Sequence, residues 1–314
     1  MSVFAITDYF KEPDVEREIL GDLVGTHVGD DTVVLLVWHN QITVELVDRL
    51  PALRGVQRYG VGYDNLDVSA LKKRRIVACN NPDYGVDEVS DTALAMILNI
   101  VRGMSTYDCA ARTYRSTWQE NVNRAIKRSS DTVVGVVGAG RIGGSVVVKC
   151  KSLGFDTVFF DPYQPRGYEK MLKSRRVDSL DELLAESDVI SVHTPLTQET
   201  RSMINEAFIA AMKPGSALVN TARGGLLDGT DVLYDALRSG HLAGVALDVL
   251  PQEPPPEDAL ISAWRRGDDW LGGRLIINPH TSYYSAASYQ ELRRNAARNA
   301  LRIYENRTPH NLLY

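Results

Sequence analysis

The stretch Thr132–Asp161, TVVGVVGAGRIGGSVVVKCKSLGFDTVFFD, constrains this 314-residue chain more than any other. An apolar run ends at Gly138, the segment Gly138-Ala139-Gly140-Arg141-Ile142-Gly143 follows, and apolar residues then recur at helical spacing through Ile142, Val146, Val147 and Leu153. Gly154 closes the expected helix, and a second apolar run, Val158 to Phe160, stops at Asp161. A strand that turns sharply into a helix needs a residue without Cβ, here Gly138. Gly140 lets a pyrophosphate approach the backbone, and Gly143 lets helix and strand pack closely. The free N–H groups and positive dipole end of the helix then hold the diphosphate. Asp161, 18 residues after Gly143, is placed to accept hydrogen bonds from the adenosine ribose hydroxyls. It would repel a 2′-phosphate, and so argues for NAD over NADP. Glycines also punctuate ordinary loops; it is the agreement of strand, helix and acid that makes this a dinucleotide site.

The length suits two domains of about 100 to 200 residues each. Apolar content of 44% and charged content of 24% are ordinary for a globular protein, and a net charge of −5 provides no broad basic field, which argues against nucleic acid as a direct ligand. Cys79, Cys109 and Cys150 are few, odd in number and widely spaced. They read as reduced core residues of a cytoplasmic protein, neither a disulfide framework nor a zinc site. The N-terminal MSVFAITDYFKEPD lacks the basic and long apolar regions of a secretory signal, and no run reaches the ~18 apolar residues of a membrane span.

Ahead of the glycine motif, Val3 to Thr7, Val33 to Val37, Val56 to Tyr59 and Ile76 to Cys79 read as strands, with helices over Asp14 to Leu23, Thr43 to Leu50 and Val68 to Lys73 between them. That alternation implies a parallel sheet covered on both faces. A long helical pattern runs from Val86 to about Tyr114. After Asp161, strands are expected at Val189 to His193, Ala217 to Asn220, Ala243 to Asp248 and Leu275 to Asn278, with helices at Asp181 to Glu186 and Asp231 to Ser239; a last helix spans Ala286 to Asn306. The expected architecture is α/β, two doubly wound parallel-sheet domains: residues 1–101 with 285–314 forming one, and 102–284, inserted into it, forming the nucleotide-binding other. Such domains face each other across a cleft where ligands are held.

Three strand ends after the motif carry chemistry. Arg223, in Asn220-Thr221-Ala222-Arg223-Gly224-Gly225, suits a planar anion that meets guanidinium and backbone together; by position alone it reads equally as a salt-bridged surface arginine. Asp248 reads as an acceptor for a nicotinamide carboxamide or as a loop acid, and Glu253 is one of several acids nearby. His280, in Ile277-Asn278-Pro279-His280, is the side chain type most readily poised to exchange a proton near neutral pH. A paired carboxylate would orient its ring and favour the imidazolium form. Alone, a strand-end histidine is more often structural; arginine, glutamate and histidine at successive strand ends behind a dinucleotide motif form a sharper signal.

At these residues the chain resembles the D-2-hydroxyacid dehydrogenases, and their C-terminal binding protein branch in particular. The resemblance rests on Arg58-Tyr59-Gly60-Val61-Gly62-Tyr63-Asp64-Asn65, the glycine motif with Asp161-Pro162-Tyr163, His193-Thr194-Pro195-Leu196-Thr197, Thr221-Ala222-Arg223-Gly224-Gly225, Leu247-Asp248-Val249 followed by Glu253-Pro254, and Pro279-His280. It implies a flavodoxin-like substrate domain with an inserted Rossmann domain, and hydride transfer between NAD(H) and a small 2-oxo or D-2-hydroxy acid without a metal. His280 would give and take the proton, Glu253 would hold and polarise it, and Arg223 would clamp the oxo acid. Backbone N–H groups of Val61 and Gly62, with Arg58, would bind the substrate carboxylate. Trp38, His39 and Tyr283 would border its side chain, Tyr283 standing where the branch has tryptophan. Cofactor contacts are implied for Gly138, Gly140, Arg141, Ile142, Gly143, Asp161, His193, Thr194, Pro195, Thr221, Ala222 and Asp248.

The resemblance further implies a homodimer formed through an arm at Ala110 to Lys127, containing Trp118. Two other uses of the scaffold fit the same residues: an NAD(H)-sensing corepressor-like adaptor, and a phosphite or phosphonate dehydrogenase using Arg58, Arg223 and His39. The chain ends at Tyr314, soon after the last helix, without a long tail or an added regulatory domain, which favours the plain enzyme. Pro255 to Arg274, with Trp264 and Trp270, reads as a pocket lid or as packing, and packing is favoured because tryptophans are usually buried.

Overall fold

The computed structural model describes residues 2–8, 12–112, 118, 123 and 126–314. The elements begin β1 (Phe4–Ile6), α1 (Asp14–Leu20), β2 (Val24–Gly25), β3 (Val34–Val37), α2 (Val44–Asp48), β4 (Gly55–Arg58), α3 (Val68–Lys73) and β5 (Val77–Cys79). Next come α4 (Val86–Arg102), α5 (Met104–Arg112), β6 (Val133–Val137), α6 (Arg141–Ser152), β7 (Asp156–Phe160), α7 (Tyr168–Leu172), β8 (Arg175–Arg176) and α8 (Leu180–Glu186). The chain continues through β9 (Val189–Val192), α9 (Glu206–Ala211), β10 (Ser216–Asn220), α10 (Asp231–Ser239), β11 (Leu242–Leu247), α11 (Ala259–Arg266), β12 (Leu275–Ile277) and α12 (Ala286–Tyr304). Among the described residues no helix is long and apolar enough to cross a membrane.

Two compact units result: Met1–Gly85 with Tyr283–Tyr314, and Val86–Ser282. The first boundary falls ahead of α4, not behind it as the sequence suggests. An amphipathic helix belongs with whatever covers its apolar stripe, and Ala93, Met96, Ile97 and Val101 are buried with Val146, Val147 and Cys150 of α6. Helix α4 therefore sits with the glycine motif. The single helix expected from Val86 to about Tyr114 is two, because Gly103 takes a φ of +63° and breaks the run. The proposed dimer arm, Ala110 to Lys127, lies largely outside the described residues.

The first unit holds a five-stranded sheet in the order β2-β1-β3-β4-β5, with every pair of named strands parallel. This is the flavodoxin-like order, in which the chain reverses its direction of growth between β1 and β3. Alternate residues feed opposite faces: Phe4, Ile6, Val34 and Leu36 pack with α12, whereas Ala5, Leu35 and Val37 pack with Ile42, Val47 and Leu71. Because both faces are covered, β3 reads in sequence as the unbroken run Val34-Leu35-Leu36-Val37. Ser285 starts α12 with a capping box, its side chain accepting from Ser288 N–H while the Ser288 hydroxyl accepts from Ser285 N–H.

The second unit holds seven strands in the order β12-β11-β10-β9-β6-β7-β8, again all parallel. This is the Rossmann order with one strand added, and its reversal lies between β6 and β9. Two-residue β2 and β8 escape the sequence reading, since neither carries an apolar run; backbone pairing alone defines them. Trp264 and Trp270 pack against the larger core of this unit, Trp270 standing edge-on to Tyr234 at 5.3 Å. Cys79 and Cys150 are buried, and burial pushes both thiols up to about 12; Cys109 is only half-buried.

Burial of charge in the first unit occurs at Glu16 and Arg293, which are 0% and 4% exposed. Arg293 donates from Nε and Nη2 to Glu16 at 2.9 and 2.5 Å, and from Nη2 to Asp14 at 2.6 Å, while Tyr59 Oη donates to Glu16 at 2.9 Å. Removing one partner of such a pair leaves a buried charge without compensation and costs about 3–5 kcal/mol. Arg293→Met is therefore expected to lower the unfolding free energy by about that amount, measured by urea denaturation; a loss below about 1 kcal/mol would show that the pair is not the clamp joining α1, β4 and α12.

Candidate active site

Strand register builds one row of residues in the second unit. Val137 of β6 pairs with Phe160 of β7 and Val192 of β9, Asn220 of β10 pairs with Val192 and with Leu247 of β11, and Leu247 pairs with Ile277 of β12. The next residue on each strand is Gly138, Asp161, His193, Thr221, Asp248 or Asn278. Positions scattered over 140 residues of sequence thus stand side by side along the carboxyl edge, where open α/β sheets bind ligands.

The glycine turn fits a dinucleotide. Gly138 has a φ of +85°, and a Cβ on it would come within 3.0 Å of His193 and Thr194. A Cβ on Gly143 would lie 1.9 Å from the Gly138 carbonyl oxygen, so only glycine permits α6 to seat against β6. A Cβ on Gly140 would meet nothing within 4 Å, and no side chain caps the helix it precedes. The open space above Gly140 and the first-turn N–H groups of α6, beginning at Arg141 and Ile142, are what a diphosphate requires. Asp161 is buried, its Oδ2 accepting from Ala139 N–H at 2.8 Å and its Oδ1 from Tyr163 N–H at 2.9 Å. The acid therefore shapes the glycine turn itself. Each carboxylate oxygen retains a second lone pair with which to accept from a ribose hydroxyl.

His193 donates its backbone N–H to Val137 O at 2.8 Å and sets Nε2 2.8 Å from Ser191 Oγ. Desolvation holds its ring down at about 4, so at neutral pH it is an uncharged imidazole at the edge of the glycine turn. Thr194 and Pro195 carry the chain away from this edge, and the Pro195 carbonyl accepts from Thr200 Oγ1 at 2.6 Å.

The turn after β10 is organised by Asn220, a residue that sequence reasoning passed over. Fully buried, it accepts from Ala222 N–H through Oδ1 and donates from Nδ2 to Arg223 O, both at 3.0 Å, bending Thr221-Ala222-Arg223 across the strand ends. Gly224 follows because a Cβ there would fall 1.8 Å from Leu250 O. That close approach brings the arginine turn against the loop carrying Glu253. Leu250 N–H donates to Glu253 Oε1 at 3.0 Å, and Glu253 Oε2 lies 2.7 Å from His280 Nδ1. Burial by itself would raise the Glu253 carboxyl, but the hydrogen bond and charge of His280, the Leu250 N–H and the charge of Arg223 together hold it below its ordinary value. Arg223, Glu253 and His280 thus form one electrostatic group. A carboxylate can only accept, so the shared proton resides on Nδ1 and Nε2 is left for exchange.

Asp248 fixes the histidine loop. It is 2% exposed; its Oδ1 accepts from Thr281 N–H at 2.9 Å and its Oδ2 from Ser282 N–H at 3.0 Å, while its carbonyl accepts from His280 N–H at 2.8 Å. His280 is thereby held at a φ of +55°, a conformation that L side chains seldom adopt without such restraint. The carboxylate expected to meet a nicotinamide amide thus also anchors backbone, and Oδ2, with one contact, retains a second lone pair.

In the first unit, the residues expected around a substrate gather at the carboxyl ends of β1, β3 and β4. Asp8, beyond β1, accepts from the backbone N–H groups of Trp38, His39 and Asn40. Desolvation opposes its charge, yet the His39 ring, Thr7 and these N–H groups outweigh it and drive the carboxyl far below its ordinary value. Asn65 closes the same loop from the other side, donating from Nδ2 to Asn40 O at 3.0 Å. His39 is exposed, whereas Trp38 is only 5% exposed. Its indole lies among Tyr59, Tyr283 and Tyr289 at 5.6, 5.9 and 6.4 Å, which makes Trp38 the packed support behind His39 and half-buried Tyr283. Arg58 ends β4 and reaches back to Val37 O at 3.5 Å. The Val61 carbonyl accepts from Asn80 Nδ2 at 2.7 Å and the Gly60 carbonyl from Asn81 N–H at 3.1 Å, so the carbonyls of Gly60 and Val61, ahead of Gly62, are tied down on the β5 side.

Comparison with known proteins agrees with this geometry. Residues 94–282 match the NAD binding domain of the D-isomer specific 2-hydroxyacid dehydrogenases. The chain is 33% identical to D-3-phosphoglycerate dehydrogenase of Methanocaldococcus jannaschii over 75% of its length and 44% of the relative's, and 31% identical to C-terminal-binding protein 1 of Caenorhabditis elegans over 91% of its length and 39% of the relative's. It therefore spans less than half the length of these curated relatives. Among solved structures it is similar to D-lactate dehydrogenase from Aquifex aeolicus complexed with NAD and lactic acid, with a TM-score of 0.84 and 29% identity over 99% of this chain and 98% of that one. A Rossmann sheet with a glycine turn fit for a diphosphate, an arginine, glutamate and histidine joined at its carboxyl edge, and a family match over most of that unit lead to one conclusion: the chain belongs to the D-isomer specific 2-hydroxyacid dehydrogenase family.

Proposed function

We propose that the protein is an NAD-dependent dehydrogenase that interconverts a small 2-oxo acid and the corresponding D-2-hydroxy acid, with His280 as the acid and base. The observation that carries this reading is the 2.7 Å pairing of His280 Nδ1 with Glu253, in a loop that Asp248 holds rigid and next to the charge of Arg223. NADH, when bound, supplies the hydride. His280 Nε2 delivers a proton to the carbonyl oxygen as it gains negative charge, and Arg223 attracts that oxygen and the adjacent carboxylate. Both interactions strengthen as the oxyanion develops, which lowers the barrier rather than merely tightening binding. Glu253 keeps the ring in the tautomer that presents Nε2.

Binding of the substrate carboxylate is assigned to Arg58 and the N–H groups of Val61 and Gly62. His39 and Tyr283 are assigned to the side of the substrate that varies between members, with Trp38 behind them. A phenol in place of the branch's indole adds a hydroxyl and favours a more polar substrate. In the second unit, Gly140, Arg141 and Ile142 are assigned to the diphosphate, Asp161 to the adenosine ribose, and His193, Thr194, Pro195, Thr221 and Ala222 to the remaining cofactor edge. A homodimer is part of the same proposal, tested by sedimentation velocity, in which a monomer at micromolar concentration would refute it.

The defining experiment is NADH oxidation against a panel of 2-oxo acids including glyoxylate, hydroxypyruvate and phosphonopyruvate, with phosphite tested in the direction of NAD reduction. Turnover of a 2-oxo acid supports the proposal; tight NADH binding with no turnover would turn the reading toward a nucleotide-sensing adaptor. His280→Gln is expected to bind NADH as the wild type does and to lose about 10²–10⁴-fold in kcat, and equal turnover in the two proteins would remove His280 from the mechanism. Glu253→Gln replaces the carboxylate that orients the His280 ring with an amide; its kcat is expected to fall with NADH binding unchanged, and an unchanged kcat would show that Glu253 has no part in proton delivery.

A further inference from the structure

We propose that the first unit carries a second binding site, for a compact polyanion, in the cavity between the carboxyl end of β5, one face of α12 and residues 307–311. Its volume is about 420 Å³. Asn295, Arg298, Asn299 and Arg302 recur at helical spacing and line it together, whereas Leu292, Ala296, Ala297, Ala300 and Ile303 of the same helix are buried in the core. Among the described residues Arg298 has no carboxylate partner and Arg302 is held through Nε alone, which donates to Thr308 O at 2.7 Å. Arg307 lines the cavity as well and is paired with Glu305. Asp83 is the lining's one acid. The remainder of the wall is largely amides, which can donate to the oxygens of an anion without adding charge.

The wall is preorganised. Asn299, 5% exposed, donates from Nδ2 to Gln57 Oε1 at 2.6 Å and to His310 O at 3.0 Å, and accepts from His310 N–H at 2.7 Å, which fixes the 307–311 segment over α12. Two guanidinium groups with free N–H groups, held beside oriented amides, are the chemistry that recognises phosphate or a cluster of carboxylates. None of the lining residues is among those assigned to cofactor or substrate.

The cavity has a direct link to the proposed substrate loop. Asn80 lines it and uses one Nδ2 hydrogen to hold Val61 O at 2.7 Å. An anion that accepts the other hydrogen restrains Asn80 further and steadies the Val61-Gly62 turn. This coupling rests on the function proposed above; the binding site itself does not.

Isothermal titration calorimetry of the full chain with inorganic phosphate and, separately, with citrate tests the site without reference to turnover. Saturable binding of at least one probe is expected, weakened about tenfold or more in Arg298→Ala and in Arg302→Lys and retained in Arg223→Ala. Arg298 is exposed and, among the described residues, without an ion pair, so its replacement leaves folding intact. Absence of saturable heat for both probes, binding indifferent to the α12 variants, or loss of binding in Arg223→Ala would each overturn the site; the last would place the anion at the substrate position instead. With binding established, the bound probe is expected to lower the KM for the oxo acid at unchanged kcat. An unchanged KM would overturn the coupling while leaving the site in place.

Discussion

A single buried carboxylate determines where His280, the proposed proton-transfer group, stands. Asp248 takes the backbone N–H groups of Thr281 and Ser282 and offers its own carbonyl to His280, joining the end of β11 to the segment after β12. Charge-assisted bonds of this kind are about twice as strong as neutral ones, and inside the protein they are not shared with water. They hold His280 in a left-handed conformation and direct Nδ1 at Glu253. Glu253 is in turn fixed by Leu250 N–H, on a loop that comes near Arg223 only because Gly224 has no side chain. Histidine, glutamate and arginine are therefore positioned by backbone, with little left to side-chain rotamers.

The two units repeat one structural idea. In each, an aspartate at a strand end organises a loop to which a role is proposed: Asp248 for the histidine loop, Asp161 for the glycine turn and Asp8 for the Trp38-His39-Asn40 segment. A carboxylate placed this way fixes its neighbours at the cost of its own desolvation, and backbone N–H groups offset that cost. The order of strands decides which neighbours those are. Because both sheets are parallel throughout, each crossover returns the chain to the same edge, and residues far apart in sequence become adjacent there.

Much of this was legible in the sequence. The glycine turn, the acid at Asp161 and the positions of Arg223, Asp248 and His280 just past strand ends follow from apolar runs that stop at a glycine or a polar residue. The alternation of strand and helix gives two parallel sheets for the same reason. What escaped had no periodic or compositional trace. Asn220 looks like one more polar residue at a strand end until its amide is seen to bridge Ala222 and Arg223. Trp38 carries the right side chain for a pocket wall, but burial among three tyrosines makes it a support. The break at Gly103 was written in the sequence as a lone glycine in a helical pattern, which helices often tolerate; only its positive φ shows the turn.

The five-stranded sheet ends at β5, whose outer side would otherwise present unpaired N–H and C=O groups to other chains. Residues 311–314 run antiparallel along it: Cys79 bridges Leu312, Leu313 N–H donates to Ala78 O at 3.0 Å, and Tyr314 Oη reaches Ile76 O. Open edges of this kind template pairing between molecules and lead to aggregation. The chain that leaves the cavity at residue 311 thus goes on to seal the sheet, so that one short terminal stretch both bounds a polar cavity and blunts an edge open to intermolecular pairing.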